Sequence, residues 1–221
     1  KFQYEDVKKA LGNEVEILEY NYIESYLSQL KGTTDNYKIM ADPTQLNYQT
    51  YQAIGNSVIP IISPVTLSKS IKNEIELQGI RNSHLRDGVA LTAFLHWMEM
   101  TMNDNKILTE YEAVQKLEEF RSNMEFWKGP SFSTIASYGL NGAIIHYKPD
   151  ATKASIIGKE STFLLDSGAQ YLGATTDVTR TIFLGGSKPK KEYILNYTRV
   201  LKGHINLAMI KFPVGTRGYQ I

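Results

Sequence analysis

Cysteine is absent from this sequence of 221 residues. Its absence excludes a disulfide framework, a thiolate zinc site and a cysteine nucleophile together. Any catalytic or metal-binding site must therefore be built from other side chains. A chain without cysteine also agrees with a reducing compartment, and we expect a cytoplasmic protein.

The sequence also lacks an excess of charge and a long apolar run. Its 24 basic and 23 acidic residues leave a formal net charge of +1, so no overall field attracts nucleic acid or an anionic membrane surface. No apolar run approaches the roughly 20 residues that a membrane-spanning helix needs. We therefore expect no nucleic acid and no membrane among its partners.

The two ends of the sequence suggest a piece of a longer protein. The sequence begins at Lys1 without a methionine and stops at Ile221, shortly after a predicted helix. We interpret it as a fragment. Its 221 residues, 42% of them hydrophobic, suffice for one large domain or two smaller ones with a substantial core.

Two regions of different pattern predict two domains. Residues 1–67 alternate short helical and strand signals, which is typical of an α/β layer. Residues 68–221 begin with a long helix, predicted from about Asn73 to Met102, and continue with a second helix that has Thr109 as its N-cap. Strands and a closing helix follow. The predicted fold class is α+β.

The stretch LLDSGAQYLGATTDVTRTIFLG, residues 164–185, places two acids in an apolar and threonine-rich pattern. Its flanks predict two antiparallel strands, and Gly168 and Gly173 predict the turn between them. Asp166 and Asp177 are 11 positions apart. This spacing allows them to lie directly opposite each other, with Cβ atoms about 4.5–5.5 Å apart.

Two carboxylates in that position repel each other and need a neutralising group. Strand alternation sends Arg180 to the face opposite Asp177. Thr175, Thr179 and Thr181 share the face of Asp177 but carry no charge. A bound divalent cation resolves the repulsion, because carboxylates on rigid neighbouring strands are good ligands for hard metal ions. On spacing alone, solvated aspartates beside a turn are the more common alternative.

The wider sequence resembles a known family. The motif DSGAQY, followed by TTDVTRT, is similar to the first half of the metal site in the creatinase, prolidase and methionine aminopeptidase superfamily of pita-bread metallopeptidases. More narrowly, it resembles the Xaa-Pro aminopeptidases (aminopeptidase P) of the eukaryotic cytosolic type. Three further stretches resemble that family in the same order: ELQGIRNSHLRDGVALTAFLHWME, YGLNGAIIHYKP and VLKGHINLAMIKFPVGTRG. The sequence departs from the family motif at Leu172, Gly173, Ala174, Phe183 and Leu184.

The resemblance implies both a fold and a metal site. Residues 1–67 would be the end of a ribonuclease-H-like domain of the creatinase N-terminal type, and residues 68–221 the N-terminal half of a pita-bread domain. The family's site holds two divalent ions, usually Mn²⁺ in this subfamily, on two Asp, one His and two Glu. Asp166 would bind one ion and Asp177 would bridge both. The other three ligands are expected outside this sequence.

The same resemblance assigns the histidines. His146 matches an active-site histidine of the family that contacts substrate, so it is the expected catalytic and substrate-binding residue. The segment NGAIIHYKP around it is predicted to continue a strand. His84, His96 and His204 lie in predicted helices, and we expect them to be ordinary helix or interface residues.

The implied reaction removes an N-terminal residue that is followed by proline. In this chemistry a water shared by two metal ions attacks the scissile carbonyl, and His146 stabilises the developing oxyanion or the leaving amide. We expect a polypeptide of these 221 residues alone to be inactive. We expect the whole protein to act on such peptides as a homodimer. Two alternatives stay open: a noncatalytic relative that keeps the fold as a binding or regulatory protein, and a dipeptidase of the prolidase type.

Overall fold

The computed structural model describes residues 4–33, 38–55, 58–185 and 188–221. The chain divides into two compact units, Lys1–Lys72 and Asn73–Ile221. No helix within the described ranges is long and apolar enough to cross a lipid bilayer.

The first unit combines short helices with a small parallel sheet. Its described helices and strands are α1 (Tyr4–Leu11), α2 (Ile23–Thr33), β1 (Ile39–Ala41), α3 (Tyr48–Ile54), β2 (Val58–Pro60) and α4 (Pro64–Ser70). β1 and β2 run parallel, with Ile39 opposite Val58. Parallel strands need a crossover connection, and α3 supplies it. Asn47 caps α3 by accepting a hydrogen bond of 2.8 Å from Thr50 N.

The second unit opens with two helices that begin at capping boxes. These are α5 (Glu74–Asn103) and α6 (Glu110–Ser122). At the start of α5, Glu76 N donates to Asn73 Oδ1 and Asn73 N donates to the Glu76 carboxylate, both at 2.9 Å. Thr109 and Glu112 exchange the same pair of hydrogen bonds at the start of α6. Each box satisfies backbone N–H groups that the first turn of a helix leaves free. The predicted N-cap Thr109 is confirmed.

Five strands follow in the second unit: β3 (Trp127–Pro130), β4 (Ile135–Tyr138), β5 (Thr162–Ser167), β6 (Ala169–Tyr171) and β7 (Val178–Phe183) within the described residues. β5 lies between β4 and β7 and pairs antiparallel with both. β3 and β6 form a separate antiparallel pair. A 3-10 helix, Gly139–Ala143, directly follows β4.

The three-stranded sheet has one face packed in the core and one face outside it. The core combines apolar side chains of α5, α6 and the sheet: Leu91, Phe94, Met98, Met102, Leu108, Ala113, Leu117, Ala136, Ile157, Phe163 and Leu165. Because side chains alternate along a strand, the residues between these positions point away from the core. We call this second side the open face and define it by Leu164 and Asp166 of β5 and Thr179 and Thr181 of β7.

A final helix runs beside the open face. This helix, α7 (Lys191–Met209), has 19 residues. None of its residues is buried. Tyr197 and His204 of α7 line a cleft together with Thr179 and Thr181 of β7. The open face therefore borders a cleft between β7 and α7.

Candidate metal centre

Asp166 lies on the middle strand of the sheet. Its neighbours across the sheet are Ile135 of β4 and Thr179 of β7. The Asp166 side chain is half-buried, and Thr179 Oγ1 donates a hydrogen bond of 2.8 Å to Asp166 Oδ1. Since backbone hydrogen bonds hold β5 on both sides, the carboxylate has a fixed position.

Asp177 does not lie directly opposite Asp166, and that prediction was wrong. The register pairs Asp166 with Thr179, which leaves Asp177 immediately before β7 and two residues short of the opposed position. Gln170 pairs with Thr175 in the same register. The tip of the hairpin therefore lies one residue further along the chain than the midpoint of the two aspartates. Turn geometry sets the register of a hairpin, and the spacing of the acids does not.

Asp177 nevertheless points to the same side of the sheet as Asp166. Burial alternates along this stretch: Thr176 is 0% exposed, Asp177 is exposed, Val178 packs against the core and Thr179 is exposed. Asp177 is therefore a diagonal neighbour of Asp166, and residues in such positions are typically about 7–8 Å apart. The two carboxylates therefore lie on one face of the sheet, but they are farther apart than directly opposed residues would be.

Gly168 allows the two strands to approach each other between the aspartates. A Cβ atom at this position would collide with the carbonyl oxygen of Thr176 and the hydroxyl of Ser131. Ser131 Oγ donates to Thr176 O at 3.0 Å, and Ser131 N donates to Gly168 O at 3.1 Å. The loop between β3 and β4 thus clamps the hairpin at the level of the two acids.

Neither aspartate forms an ion pair with any residue that the structure describes. Arg180, the nearest basic residue in sequence, donates from Nη1 to the carbonyl oxygen of Thr179 at 2.8 Å instead. Within the described ranges Asp177 also accepts no hydrogen bond, whereas Asp166 accepts the one from Thr179. Among the described residues, no basic side chain offsets either carboxylate.

The two acids suit a hard divalent cation without completing a site. Carboxylate oxygens are ligands that Mg²⁺, Ca²⁺ and Mn²⁺ prefer. Over residues 4–33, 38–55, 58–185 and 188–221, no group of three or more His, Cys, Asp or Glu side chains could hold a metal ion. His84 and His96 lie in α5 and His204 lies in α7, so all three are helical as predicted.

His146 lies in a turn and not in the predicted strand. β4 ends at Tyr138, and after the 3-10 helix a turn is closed by the hydrogen bond of 3.2 Å from Tyr147 N to Ile144 O. His146 is exposed and has a φ angle of 57°, in the left-handed region that a strand residue does not adopt. The strand prediction for this segment was wrong.

The 3-10 helix that precedes His146 approaches the open face at Gly142. Gly142, in the 3-10 helix, approaches β4 and β5: a Cβ atom there would be 3.8 Å from Ser137 Oγ and 4.0 Å from Leu164 Cβ. Leu164 and Asp166 are two residues apart on β5 and share a face. The structure thus places Gly142, four residues before His146, against the side of the sheet that carries both aspartates.

A buried glutamate, which the sequence pattern did not reveal, explains why the chain turns there. Glu110 is the first residue of α6 and is 0% exposed. Its carboxylate accepts hydrogen bonds of 2.6 Å from Tyr138 N and from the Tyr147 hydroxyl. These contacts draw both ends of the segment towards α6. The available signal was the sequence TEYE, in which Glu112 completes the capping box and Glu110 is left for another role.

A second buried acid fixes the strand that leads to the hairpin tip. Asp87 of α5 is 1% exposed and receives hydrogen bonds of 2.8 and 2.9 Å from Nε and Nη2 of Arg121 on α6. The hydroxyl of Tyr171 on β6 donates to the same carboxylate at 3.2 Å. Burial, and then the charge of Asp87, raises the pKa of the Tyr171 phenol. This cluster ties β6 to the two helices.

Two family models match the chain. Metallopeptidase family M24 matches residues 78–221, and the creatinase/prolidase N-terminal domain matches residues 1–76. With the helices and sheets described above, these matches confirm the expected α+β class, in which a creatinase-type N-terminal domain precedes a metallopeptidase domain of the pita-bread type.

Individual relatives agree with the family models. The chain is 43% identical over 218 residues to Xaa-Pro aminopeptidase 1 of Dictyostelium discoideum, covering 97% of the chain and 34% of that protein. It is 40% identical over 229 residues to a protein of Coprinopsis cinerea named "Probable Xaa-Pro aminopeptidase P", covering 96% of the chain and 36% of that protein. The chain thus spans about a third of the length of these curated relatives.

A solved structure shows the same similarity. The X-prolyl aminopeptidase of Caenorhabditis elegans, described as a cytosolic enzyme with a di-nuclear active site, superposes with a TM-score of 0.84 at 39% sequence identity. The match covers 93% of this chain and 34% of the C. elegans chain.

Proposed function

The chain belongs to metallopeptidase family M24, and from this premise we propose that it is part of a metal-dependent Xaa-Pro aminopeptidase. The enzyme would release an N-terminal residue from peptides that have proline at the second position. The similarity to Xaa-Pro aminopeptidases over nearly the whole chain supports this substrate class. Since the chain spans about a third of those proteins, the activity is proposed for the whole protein.

One observation carries the proposal: Asp166 and Asp177 share the open face, and neither has a basic partner among the described residues. Both carboxylates therefore keep free oxygens on one face and have no offsetting cation among the described residues. A divalent cation would offset both. We assign Asp166 and Asp177 as metal ligands, with Asp177 as the ligand shared by two ions.

Some residues of this chain would bind metal, and others would contact substrate. The chemistry that two bound ions, Mn²⁺ in this proposal, would supply is a shared water of lowered pKa, held for attack on the scissile carbonyl. Thr179 orients the Asp166 carboxylate through its hydrogen bond of 2.8 Å. Because the described residues offer no third ligand beside the two aspartates, we expect the chain by itself to bind metal weakly and to be inactive.

His146 is the residue that we assign to substrate. It is exposed, and Gly142, four residues earlier, lies against the open face. An imidazole N–H placed there would donate a hydrogen bond to the oxygen that gains negative charge, or to the leaving amide nitrogen. One preorganised donor of this kind is worth roughly 10²- to 10³-fold in kcat.

The substrate proposal is tested with three peptides on the full-length protein loaded with Mn²⁺. A tripeptide with proline at the second position should be cleaved, and the same tripeptide with alanine there should not. The dipeptide Xaa-Pro separates the proposal from a prolidase-type dipeptidase. Cleavage of the dipeptide alone would replace the aminopeptidase by a dipeptidase, and cleavage of none would indicate a noncatalytic relative.

The role of His146 is tested by His146→Ala in the same protein. We expect metal content to stay at the wild-type value while kcat on the proline tripeptide falls by roughly 10²- to 10³-fold. His96→Ala is the matched control, since His96 is exposed on α5, and it should leave kcat unchanged. Near-normal turnover of His146→Ala would remove His146 from the mechanism, and loss of metal would make it a ligand.

Two further properties belong to the proposal. We expect a cytoplasmic enzyme, since the C. elegans relative is described as cytosolic, and fractionation of cells that express the protein checks this. We also expect a homodimer, as the family resemblance implies. Light scattering on the full-length protein would contradict it by giving the mass of a monomer.

A further inference from the structure

We propose that Glu110 is the positioning residue for His146: its buried carboxylate holds the segment 138–147 in the conformation that presents the imidazole to the substrate. The proposal rests on the function proposed above, because it gives Glu110 a part in the same site. Glu110 touches neither metal ligand in the described structure, and it would act through His146 alone.

The helix N-terminus explains why this glutamate is buried. Thr109 and Glu112 complete the capping box of α6, with hydrogen bonds of 2.8 and 3.2 Å between them. Glu110, at the first helical position, is therefore not needed as a cap and turns inward, where it is 0% exposed. A negative charge in the first turn also interacts favourably with the helix dipole.

The hydrogen bonds that the Glu110 carboxylate accepts within the described residues all come from uncharged donors. Oε1 accepts from Tyr138 N at 2.6 Å and from Asn141 Nδ2 at 3.0 Å. Oε2 accepts from the Tyr147 hydroxyl at 2.6 Å and from Ser155 N at 3.0 Å. No cation pairs with Glu110 in the described part of the chain. A buried carboxylate that relies on oriented dipoles alone fixes the groups that supply them.

These donors bracket His146 along the chain. Tyr138 stands where β4 ends, Asn141 lies within the 3-10 helix, and Tyr147 directly follows His146. Asn141 also closes the end of the 3-10 helix, because its carbonyl oxygen accepts from Ile144 N at 3.1 Å. A single carboxylate therefore fixes the start, the middle and the end of the segment.

The backbone of His146 itself needs such support. Its φ angle of 57° lies in the left-handed region, which costs free energy for a residue with a Cβ atom. Such a conformation persists only where the surrounding structure determines it. The backbone bond from Tyr147 N to Ile144 O closes the turn, and the bond from the Tyr147 hydroxyl to Glu110 ties that turn to α6. Without the bond to Glu110, the segment would relax and move the imidazole away from its working position.

The test is a double-mutant cycle in the full-length protein with Mn²⁺ and the proline tripeptide. Glu110→Gln keeps the shape but turns an NH₂ group towards the donors. We expect metal content to be unchanged and kcat to fall by roughly 10²-fold, the scale of a 1 Å misplacement in an active site. Combined with His146→Ala, Glu110→Gln should slow turnover little further, because it acts through a side chain that is no longer there. Independent, multiplying effects would overturn the proposal.

Glu112→Gln is the matched control. It changes a carboxylate two residues away on the same helix and weakens the capping box, but within the described residues the Glu112 side chain hydrogen-bonds to Thr109 and not to the segment 138–147. It should lower the melting temperature and leave kcat at the wild-type value. A loss of kcat as large as that of Glu110→Gln would show that general destabilisation of α6 explains both variants.

A second measurement does not depend on turnover. Hydrogen exchange of residues 139–147 should become faster in Glu110→Gln and in Tyr147→Phe, and should stay unchanged in Glu112→Gln. Tyr147→Phe decides the question if Glu110→Gln does not fold. If the wild-type protein cleaves no Xaa-Pro peptide, the proposed function fails, and exchange still shows whether Glu110 holds the segment. Unchanged exchange in both variants would overturn the positioning role.

Discussion

The second unit places carboxylates in two opposite settings. Glu110 is 0% exposed and surrounded by backbone and side-chain donors. Asp177 is exposed and accepts no hydrogen bond from the described residues, and the half-buried Asp166 accepts one, from Thr179. One carboxylate therefore has its hydrogen-bond acceptors filled by the protein, whereas two others keep oxygens without a partner among the described residues. All three belong to the same sheet and the helices packed on it.

This difference indicates what each group does. A buried carboxylate without partners would cost several kcal/mol, so a carboxylate that stays buried must be satisfied by the protein and contributes to the fold. Asp166 and Asp177 keep free oxygens at fixed positions on the open face, where an external cation can bind them. Replacing Glu110 should therefore damage local structure first, and replacing the aspartates should damage function first.

The largest expected effect is that of Asp177→Asn. In the full-length protein it should lower kcat on the proline tripeptide by roughly 10³-fold or more, since the metal contribution to such reactions is several kcal/mol. The free energy of unfolding of the metal-free protein should change by less than about 0.5 kcal/mol, because the side chain is exposed and without partners. Activity assays and urea unfolding measure the two.

Asp150→Asn is the control for this variant. Asp150 is also exposed, but its carboxylate accepts hydrogen bonds from Thr152 in a turn. Its replacement should leave turnover unchanged. Equal losses of activity in the two variants would contradict a specific role for Asp177, because loss of any exposed aspartate charge would then have the same effect.

Thr179→Val should have a smaller effect and sharpen the comparison at Asp166. Valine keeps the shape of threonine on β7 and removes the hydroxyl that donates to Asp166 Oδ1. Groups that orient a metal ligand are typically worth about 10- to 100-fold in metal affinity. Calorimetric titration of the full-length protein with Mn²⁺ should show a loss of that size. Thr181→Val, two residues along the same face, should show none, and equal losses would remove Thr179 from the site.

The smallest expected effect concerns the buried carboxylate of Glu110 and the pH dependence of stability. Burial, and then the hydrogen bond and charge of Glu110, raises the pKa of Tyr147 to about 12 from its usual 10. The folded protein therefore keeps a proton that the unfolded chain releases. This contribution to the free energy of unfolding is complete below about pH 10 and is lost as pH rises through about 12. Tyr147→Phe should flatten the decline of stability over this range in chemical unfolding experiments. Tyr20→Phe, at a side chain that is 90% exposed, should leave it as steep as in the wild type.

Local signals in the sequence predicted much of this architecture. The capping residue Thr109 and the long helix from Asn73 follow from side chains within one turn of the helix start, so no distant contact is needed to find them. The strands of the hairpin follow from their apolar alternation and from the glycines. The metal ligands were proposed from the DSGAQY and TTDVTRT motifs, and their role stays a prediction.

Distant contacts decided what the sequence did not predict. The register at Asp166 depends on where the hairpin turns, and the clamp of Ser131 on the strand from Gly168 comes from a loop more than 30 residues earlier. The turn at His146 is followed by Tyr147, whose hydroxyl donates to Glu110, a residue 37 positions earlier in sequence. The buried ion pair between Asp87 of α5 and Arg121 of α6 also joins residues 34 positions apart, so no local pattern predicts it.

The most direct test of the account is the metal content of four purified full-length proteins after dialysis against Mn²⁺: wild type, Asp166→Asn, Asp177→Asn and Asp150→Asn. Elemental analysis should find two ions per chain in the wild type, in line with the di-nuclear relative, and in Asp150→Asn. Asp166→Asn should lose one ion, and Asp177→Asn should lose both. Two ions retained in Asp177→Asn would contradict the central claim that the free carboxylates of the open face are the metal ligands.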